Sequence, residues 1–129
     1  MEKQIKPTES ELEILNILWQ RGPSTVRDVH EELVKKKDAG YTTTLKLMQI
    51  MYEKKLLNRD ANARSHVFTA AVSQKDAQTQ ILDKMIHTAF NGSAANLVMQ
   101  ALGNYKASAA ELEQIKEYLA AIEKQNREK

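Results

Sequence analysis

Three apolar stripes with helical spacing follow one another in the first half of the sequence, and two short extended segments come directly after them. A capping-box pattern at residues 8–11 precedes the first stripe, and a Gly-Pro pair at 22–23 ends it. The second stripe begins after Ser24 or Thr25 as its cap, and the third begins near Tyr41. Apolar residues at every third or fourth position mark one face of an amphipathic helix, so the pattern predicts three helices on a common core.

The two extended segments, 56–59 and 66–70, have the composition of short strands around a polar turn. The third helix is predicted to start at Tyr41 with Thr42 as its cap. Three helices followed by a hairpin are the element order of a winged helix-turn-helix domain, which we place over residues 1–71.

Three more helical stripes follow from Ser73, separated by turns at 91–92 and 103–104, and the last begins with a capping-box pattern at 108–111. Three helices of this length enclose little apolar surface on their own, so we expect them to pack against a second copy of the chain. The apolar residues expected at this dimer interface are Ile81, Met85, Leu97, Leu112, Ile115, Leu119 and Ile122. The prediction is a mainly α-helical protein with a small β-hairpin wing and a helical dimerisation domain over residues 72–129.

Charge is concentrated in one part of the chain. Residues 35–64 contain eight basic and three acidic residues, whereas residues 71–129 contain seven of each. A basic stretch confined to one region is typical of a face that binds a polyanion.

The third predicted helix carries polar side chains suited to a DNA groove. Thr43, Lys46 and Gln49 lie opposite its apolar stripe, where hydroxyl, ammonium and amide groups can reach base edges or phosphates. Arg59 and Arg64 flank the turn of the hairpin, where a wing runs along the DNA backbone. Each feature alone would also suit an ordinary solvated surface, and it is their combination that favours DNA binding.

Other kinds of chemistry find little support. The chain has no cysteine, which excludes disulfides and thiolate metal sites. His30 lies on the apolar stripe of the second helix, so a packed, hydrogen-bonded histidine is expected there, and we predict neither a metal nor a cofactor. No phosphate-binding glycine loop or nucleophile motif is present, so the chain is not expected to be an enzyme. No apolar run reaches the roughly 20 residues of a membrane span, and we expect a cytoplasmic protein with no membrane insertion.

A second interpretation belongs to another class of protein. A winged helix can be a protein-interaction module whose basic face binds an acidic partner without sequence-specific DNA binding. Salt-dependent binding to duplex DNA separates the two interpretations.

The sequence also resembles a known family, the BlaI/MecI-type repressors of penicillinase and methicillin-resistance genes. The resemblance covers nearly the whole chain and depends on the order of its motifs. The matching runs are residues 8–15 with Leu18-Trp19, 25–29, 41–44, 56–60, 96–98 and 111–115.

The resemblance implies a homodimeric repressor that binds a palindromic operator and blocks transcription of resistance genes and of its own operon. It also implies a membrane-bound metalloprotease sensor as a partner, with repression relieved by cleavage in the dimerisation domain. By position, it implies that bases are read by Thr42, Thr43, Lys46 and Gln49. It implies that phosphates are held by Ser24, Thr25, Arg27, Lys54, Arg59 and Arg64.

The chain departs from the family pattern at three places. Lys54-Lys55 stands where the family commonly has Lys-Gly, and the wing turn at 60–63 contains no glycine. The Asn-Phe pair at which relatives are cleaved is absent, and Phe90-Asn91 has the reverse order, so we expect cleavage within 90–96. Without cysteine, the chain cannot belong to the copper-responsive branch that uses C-terminal cysteine ligands.

Overall fold

The computed structural model describes residues 6–62 and 64–128, which form six helices and one two-stranded antiparallel hairpin. The helices are α1 (Glu9–Arg21), α2 (Val26–Leu33), α3 (Tyr41–Glu53), α4 (Gln74–Thr88), α5 (Ala94–Asn104) and α6 (Ala109–Arg127), and the strands are β1 (Leu57–Asp60) and β2 (Val67–Ala70). Ala63, part of the predicted wing turn, lies outside the described residues. The order of elements confirms the predicted helices and wing.

Most of the helix starts follow the predicted caps. Capping boxes pair Thr8 with Glu11, Thr25 with Asp28 and Ser108 with Glu111. Each box satisfies backbone N–H groups that the start of a helix leaves unpaired. The prediction that Thr42 caps α3 is wrong, because α3 begins after Gly40 without a side-chain cap and Thr42 lies inside its first turn.

The chain divides into two compact units, residues 1–84 and 85–129. The first unit has a core of buried side chains from α1, α2, α3 and the hairpin, including Ile14, Leu15, Val29, Met48, Met51, Leu57 and Phe68. The Trp19 indole N–H donates to the Val72 carbonyl at 2.9 Å, and Ala77 of α4 is also buried. Ordered packing thus extends past residue 71, and the domain boundary at 71/72 remains a prediction.

The hairpin is pinned to the start of α2. Leu57 pairs with Ala70 and Arg59 with Phe68 across the two strands. Ser24 exchanges two backbone hydrogen bonds with Phe68, at 3.0 and 2.8 Å. These bonds fix the segment before α2 against β2, which brings the start of α2 close to the wing.

The turn between α3 and β1 contains a residue in the left-handed region. Lys55 has a φ of 67°, a conformation that glycine adopts more easily than other residues. The Lys54-Lys55 pair therefore adopts, without a glycine, a turn conformation that favours glycine.

The second unit contains the end of α4 together with α5 and α6. Asn91 and Gly92 have φ values of 50° and 84° just after α4, as the predicted turn requires. None of the described residues 85–128 is buried. Several large apolar side chains are exposed there, including Met85, Val98, Met99, Leu112, Tyr118, Leu119 and Ile122. In the described part of the chain, no helix has the length and apolar character needed to cross a membrane.

Candidate nucleic-acid interface

Helix α3 has one face in the core and one face in solvent. Thr44, Met48 and Met51 are buried. With about 100° of rotation per residue, the direction opposite to these three side chains is occupied by Lys46. The predicted base-reading residues are all exposed on that outer face, namely Thr42, Thr43, Lys46 and Gln49. The core therefore fixes which side of α3 faces outward, and that side is mainly polar, with Ile50 also exposed on it.

A chain of hydrogen bonds fixes the start of α3 against α2. The Thr44 hydroxyl donates to the Gly40 carbonyl at 3.2 Å and lies 3.1 Å from His30 Nδ1. Since the hydroxyl hydrogen is directed to Gly40, the contact with His30 is a hydrogen bond in the tautomer that carries its proton on Nδ1. The His30 and Tyr41 rings meet edge to face at 5.4 Å. The prediction of a packed, hydrogen-bonded His30 is confirmed, and its contacts orient the helix that carries the polar face.

An open cleft of about 490 Å³ lies between α2, α3 and the wing. Its polar lining comes from three separate elements, and it includes Thr25, Arg27, Tyr41, Gln49, Arg59, Ser65 and His66. Two guanidinium groups and several hydrogen-bond donors therefore border one groove, a composition that suits an anionic ligand.

Two hydroxyl residues precede α2, and the resemblance implies that both hold phosphates. The structure places them in different surroundings. The Thr25 side chain caps α2 and is partly exposed beside the cleft. Ser24 is 1% exposed, and its hydroxyl donates to the Gly22 carbonyl at 2.9 Å. A buried hydroxyl whose hydrogen is already used cannot hold a phosphate in this arrangement, so we leave Ser24 out of the proposed interface.

Ion pairs divide the basic residues into two groups. Among the basic residues that form ion pairs, Arg21 pairs with Asp28 and Glu32, Lys35 with Glu32, Lys37 with Glu13 and Lys54 with Glu11. Within residues 6–62 and 64–128, no ion pair involves Arg27, Lys46 or Arg64, all of which are exposed. The positive charge available to a polyanion is therefore contributed by fewer residues than the sequence count indicates.

Lys54 is held by a buried carboxylate. Its Nζ lies 3.0 and 2.9 Å from the two carboxylate oxygens of Glu11, which is 1% exposed. Burial alone would raise the pKa of Glu11, but the hydrogen bond from the Thr8 N–H and the Lys54 ion pair outweigh it, so the pKa lies below its ordinary value. Lys54 thus joins α1 to the end of α3, a role that could not be inferred from its place in a basic run.

Sequence reasoning also missed two aromatic residues of α3. Tyr41 and Tyr52 share one side of the helix with Leu45 and Gln49, at spacings of four, four and three residues. Tyr41 lines the cleft, and the Arg59 guanidinium carbon lies 4.2 Å from the centroid of the Tyr52 ring. The helical spacing of the tyrosines was a usable signal, although nothing in the sequence shows which wing residue Tyr52 contacts.

The residues predicted for dimerisation keep apolar surface accessible. Met85, Leu112, Leu119 and Ile122 are exposed, whereas Ile81, Leu97 and Ile115 are half-buried. In residues 6–62 and 64–128, no group of three His, Asp or Glu side chains is arranged to hold a metal ion.

Comparisons with known proteins give a consistent result. A sequence model of the penicillinase repressor family matches residues 7–121. The chain is 23% identical over 129 residues to the penicillinase repressor of Bacillus licheniformis, covering 100% of this chain and 99% of that protein. It is 20% identical over 122 residues to the penicillinase repressor of Staphylococcus aureus, covering 95% of this chain and 97% of that protein.

The fold can be compared with that of a solved structure. The chain is similar to the solution structure of the Bacillus licheniformis BlaI monomeric form in complex with the blaP half-operator, with a TM-score of 0.51 and 24% identity. The match covers 59% of this chain and 93% of that chain. This likeness confirms the predicted winged-helix fold.

The family match covers the winged helix and most of the C-terminal helices. Proteins of this family are repressors and not enzymes, which agrees with the interpretation of the sequence. The chain belongs to the penicillinase repressor family.

Proposed function

We propose that the protein is a homodimeric transcriptional repressor that binds a palindromic operator in the cytoplasm, with one winged helix on each half-site. The observation that carries the proposal is the outer face of α3, where the core leaves Thr42, Thr43, Lys46 and Gln49 exposed together. A helix presenting short polar side chains and one lysine can enter a major groove and reach base edges.

Phosphate contacts are proposed on both sides of α3. Arg27 lies at the start of α2, and Arg59 and Arg64 lie on the wing. Arg27 and Arg59 border the same cleft, and Thr25 is partly exposed beside them. The Lys54 side chain is partly exposed but already pairs with Glu11, so we expect its effect on binding to be smaller.

Dimerisation is proposed through the C-terminal helices. Leu112 and Leu119 are exposed on one stripe of α6, seven residues apart, and Ile115 and Ile122 continue that stripe. Pairing two copies along such a stripe would bury apolar surface and set the spacing of the two winged helices. Specificity then depends on the dimer, since one small domain makes too few base contacts to select an operator in a genome.

Relief of repression by a membrane-bound metalloprotease is proposed to act on the α4–α5 connection. This connection, residues 89–93, contains two residues with positive φ, and Ala89, Asn91 and Gly92 are exposed. Exposed turns are preferred sites of proteolysis. Mass spectrometry of the fragments released by a neutral metalloprotease should place the first cut within 90–96, and a first cut inside α6 would contradict this assignment.

The test of DNA binding is a fluorescence-anisotropy titration of the full chain with the palindromic duplex from its own promoter and with a scrambled duplex, at several salt concentrations. Lys46→Ala and Thr43→Ala should weaken operator binding about ten-fold per bound subunit and weaken scrambled binding less. Lys37→Ala is the matched control, because Lys37 pairs with Glu13 and should hardly matter.

Three results would count against the proposal. Equal losses on both duplexes would contradict base reading by α3. A Lys37→Ala loss as large as that of Lys46→Ala would contradict the location of the interface. Failure of the unaltered chain to bind either duplex would favour a winged-helix protein-interaction module.

A further inference from the structure

An arginine of the wing contacts a tyrosine of α3 outside the buried core. The guanidinium carbon of Arg59 in β1 lies 4.2 Å from the centroid of the Tyr52 ring, in the last turn of α3. Both side chains reach solvent, and Tyr52 is 37% exposed. This geometry is a cation–π contact between two elements that are both proposed to touch DNA.

The register of the hairpin explains how the two side chains meet. Side chains alternate along a strand, so Arg59 lies on the same face of β1 as Leu57, and it pairs directly with Phe68. Leu57 and Phe68 are buried against the helices. Arg59 therefore extends from the inner face of the hairpin toward α3, whereas its neighbours Asn58 and Asp60 lie on the outer face.

We propose that Tyr52 is a positioning residue that holds the Arg59 guanidinium at the cleft beside α3, where it receives one phosphate of the DNA backbone. The proposal rests on the proposed DNA-binding function and adds a residue to it. A free arginine on a strand samples many rotamers, and restricting them before binding removes part of the entropy cost of ordering the side chain.

Stacking also leaves the binding groups of the arginine free. The N–H donors of a guanidinium lie in its plane, and an aromatic ring covers only one of its faces. Phosphate oxygens can therefore form two parallel hydrogen bonds at the edge of the group while the ring stays in contact. Arg27 borders the same cleft from α2, so an anion that enters it meets two cations.

The test uses the full chain and the promoter duplex, titrated by fluorescence anisotropy at several salt concentrations. The variants are Tyr52→Leu, Tyr52→Phe, Arg59→Ala and the Tyr52→Leu/Arg59→Ala double variant. Arg59→Ala should lower the slope of log K against log salt by about 0.9 per bound subunit, because one phosphate contact is lost. Tyr52→Leu should weaken binding about two- to five-fold per bound subunit with the slope unchanged, because the charge is still present.

Two comparisons separate positioning from a merely structural role. Tyr52→Phe keeps the ring, so it should bind like the unaltered chain, and Tyr52→Leu should have no further effect when Arg59 is already alanine. A Tyr52→Leu loss that persists in the Arg59→Ala background, or a Tyr52→Phe loss as large as that of Tyr52→Leu, would overturn the proposal.

Failure of the inference and failure of the proposed function are distinguishable. If the unaltered chain binds the promoter duplex and Tyr52→Leu binds it equally well, the positioning role is wrong and DNA binding stands. If the unaltered chain binds no duplex, the proposed function itself is wrong. Thermal unfolding of each variant identifies any loss that comes from misfolding, and if Tyr52→Leu misfolds, Tyr52→Met takes its place in the single and the double variant.

Discussion

The two compact units are both built from amphipathic helices, yet they differ in what they do with their apolar residues. In the first unit, Ile14, Leu15 and Met48 are completely removed from solvent. In the second unit, Met99, Tyr105 and Tyr118 are 71%, 77% and 69% exposed, and no residue between 85 and 128 is buried. The first unit completes its own core, whereas the second leaves large apolar side chains exposed to solvent.

The proposed function requires a correctly folded winged helix and a correct arrangement of two of them, and the two units differ in which requirement they serve. The geometry of α3 and the wing depends on contacts within one chain, so it should not depend on protein concentration. In the proposed dimer, the arrangement of two such domains on a palindrome would depend on association, which does change with concentration.

The largest expected effect is on association through α6. Leu119→Asp places a carboxylate in the apolar stripe, and an uncompensated charge buried at an interface costs about 3–5 kcal/mol per subunit. We expect monomers by light scattering at concentrations where the unaltered chain is dimeric, with the circular dichroism of the first unit retained. Ala121→Asp is the control, because residue 121 lies on the opposite side of α6 and is exposed.

A dimer that is unchanged by Leu119→Asp would contradict association through α6. The interface would then lie elsewhere, and the exposed stripe of α6 would need another explanation. Equal disruption by Ala121→Asp would show that any new charge on α6 prevents association.

The next effect in size is on the core of the first unit. Leu15→Ala removes a fully buried side chain from α1, and such a cavity lowers the free energy of unfolding by about 2–5 kcal/mol. Urea unfolding followed by Trp19 fluorescence measures the loss, which should not depend on protein concentration. Leu112→Ala in the exposed stripe of α6 should leave this transition unchanged and weaken the dimer. A concentration-dependent Leu15→Ala loss would mean that the first unit also requires a partner.

The sequence was sufficient for the features that depend on near neighbours. The capping boxes at Thr8 and Ser108 and the solvent face of α3 all arise from residues three or four positions apart. Features that join distant segments could not be predicted in the same way. Lys54 pairs with Glu11 across 43 residues, and burial of Ser24 follows from its bridge to β2. Composition marked these residues as polar or basic, but only the tertiary fold determines their partners.

A smaller effect on the free energy of unfolding is expected at the two capping-box glutamates. One is buried in the first unit and the other is exposed in the second. Glu11 is buried and also pairs with Lys54, whereas Glu111 is exposed and contacts Ser108. Glu11→Gln should lower the free energy of unfolding by about 1 kcal/mol at pH 7. Glu111→Gln should have a smaller effect on the unfolding transition of the first unit.

The pH dependence of the Glu11 effect has a definite sign. Burial raises the pKa of Glu11, but its hydrogen bond with Thr8 and its ion pair with Lys54 outweigh burial and keep the pKa below the ordinary value of 4.5. A carboxylate with a lowered folded-state pKa stabilises the protein above its unfolded-state pKa, and the contribution is lost as the pH falls through the folded value. The gap between the unaltered chain and Glu11→Gln should therefore close below pH 4.5, as measured by urea unfolding. A gap that stays constant from pH 7 to about pH 3 would contradict the ionic role of Glu11.

The smallest effect concerns the two left-handed residues, one in each unit. Lys55 has a φ of 67° in the first unit and Asn91 has a φ of 50° in the second. Lys55→Gly should raise the free energy of unfolding by about 0.5–1 kcal/mol, because glycine adopts this conformation without a Cβ clash. Asn91→Gly should gain less, since asparagine tolerates the left-handed region better than lysine. Lys55→Ala removes the same charge and keeps the Cβ, so urea unfolding should show no gain in the free energy of unfolding. A gain equal to that of Lys55→Gly would mean that charge repulsion beside Lys54, and not backbone conformation, limits the stability of this turn.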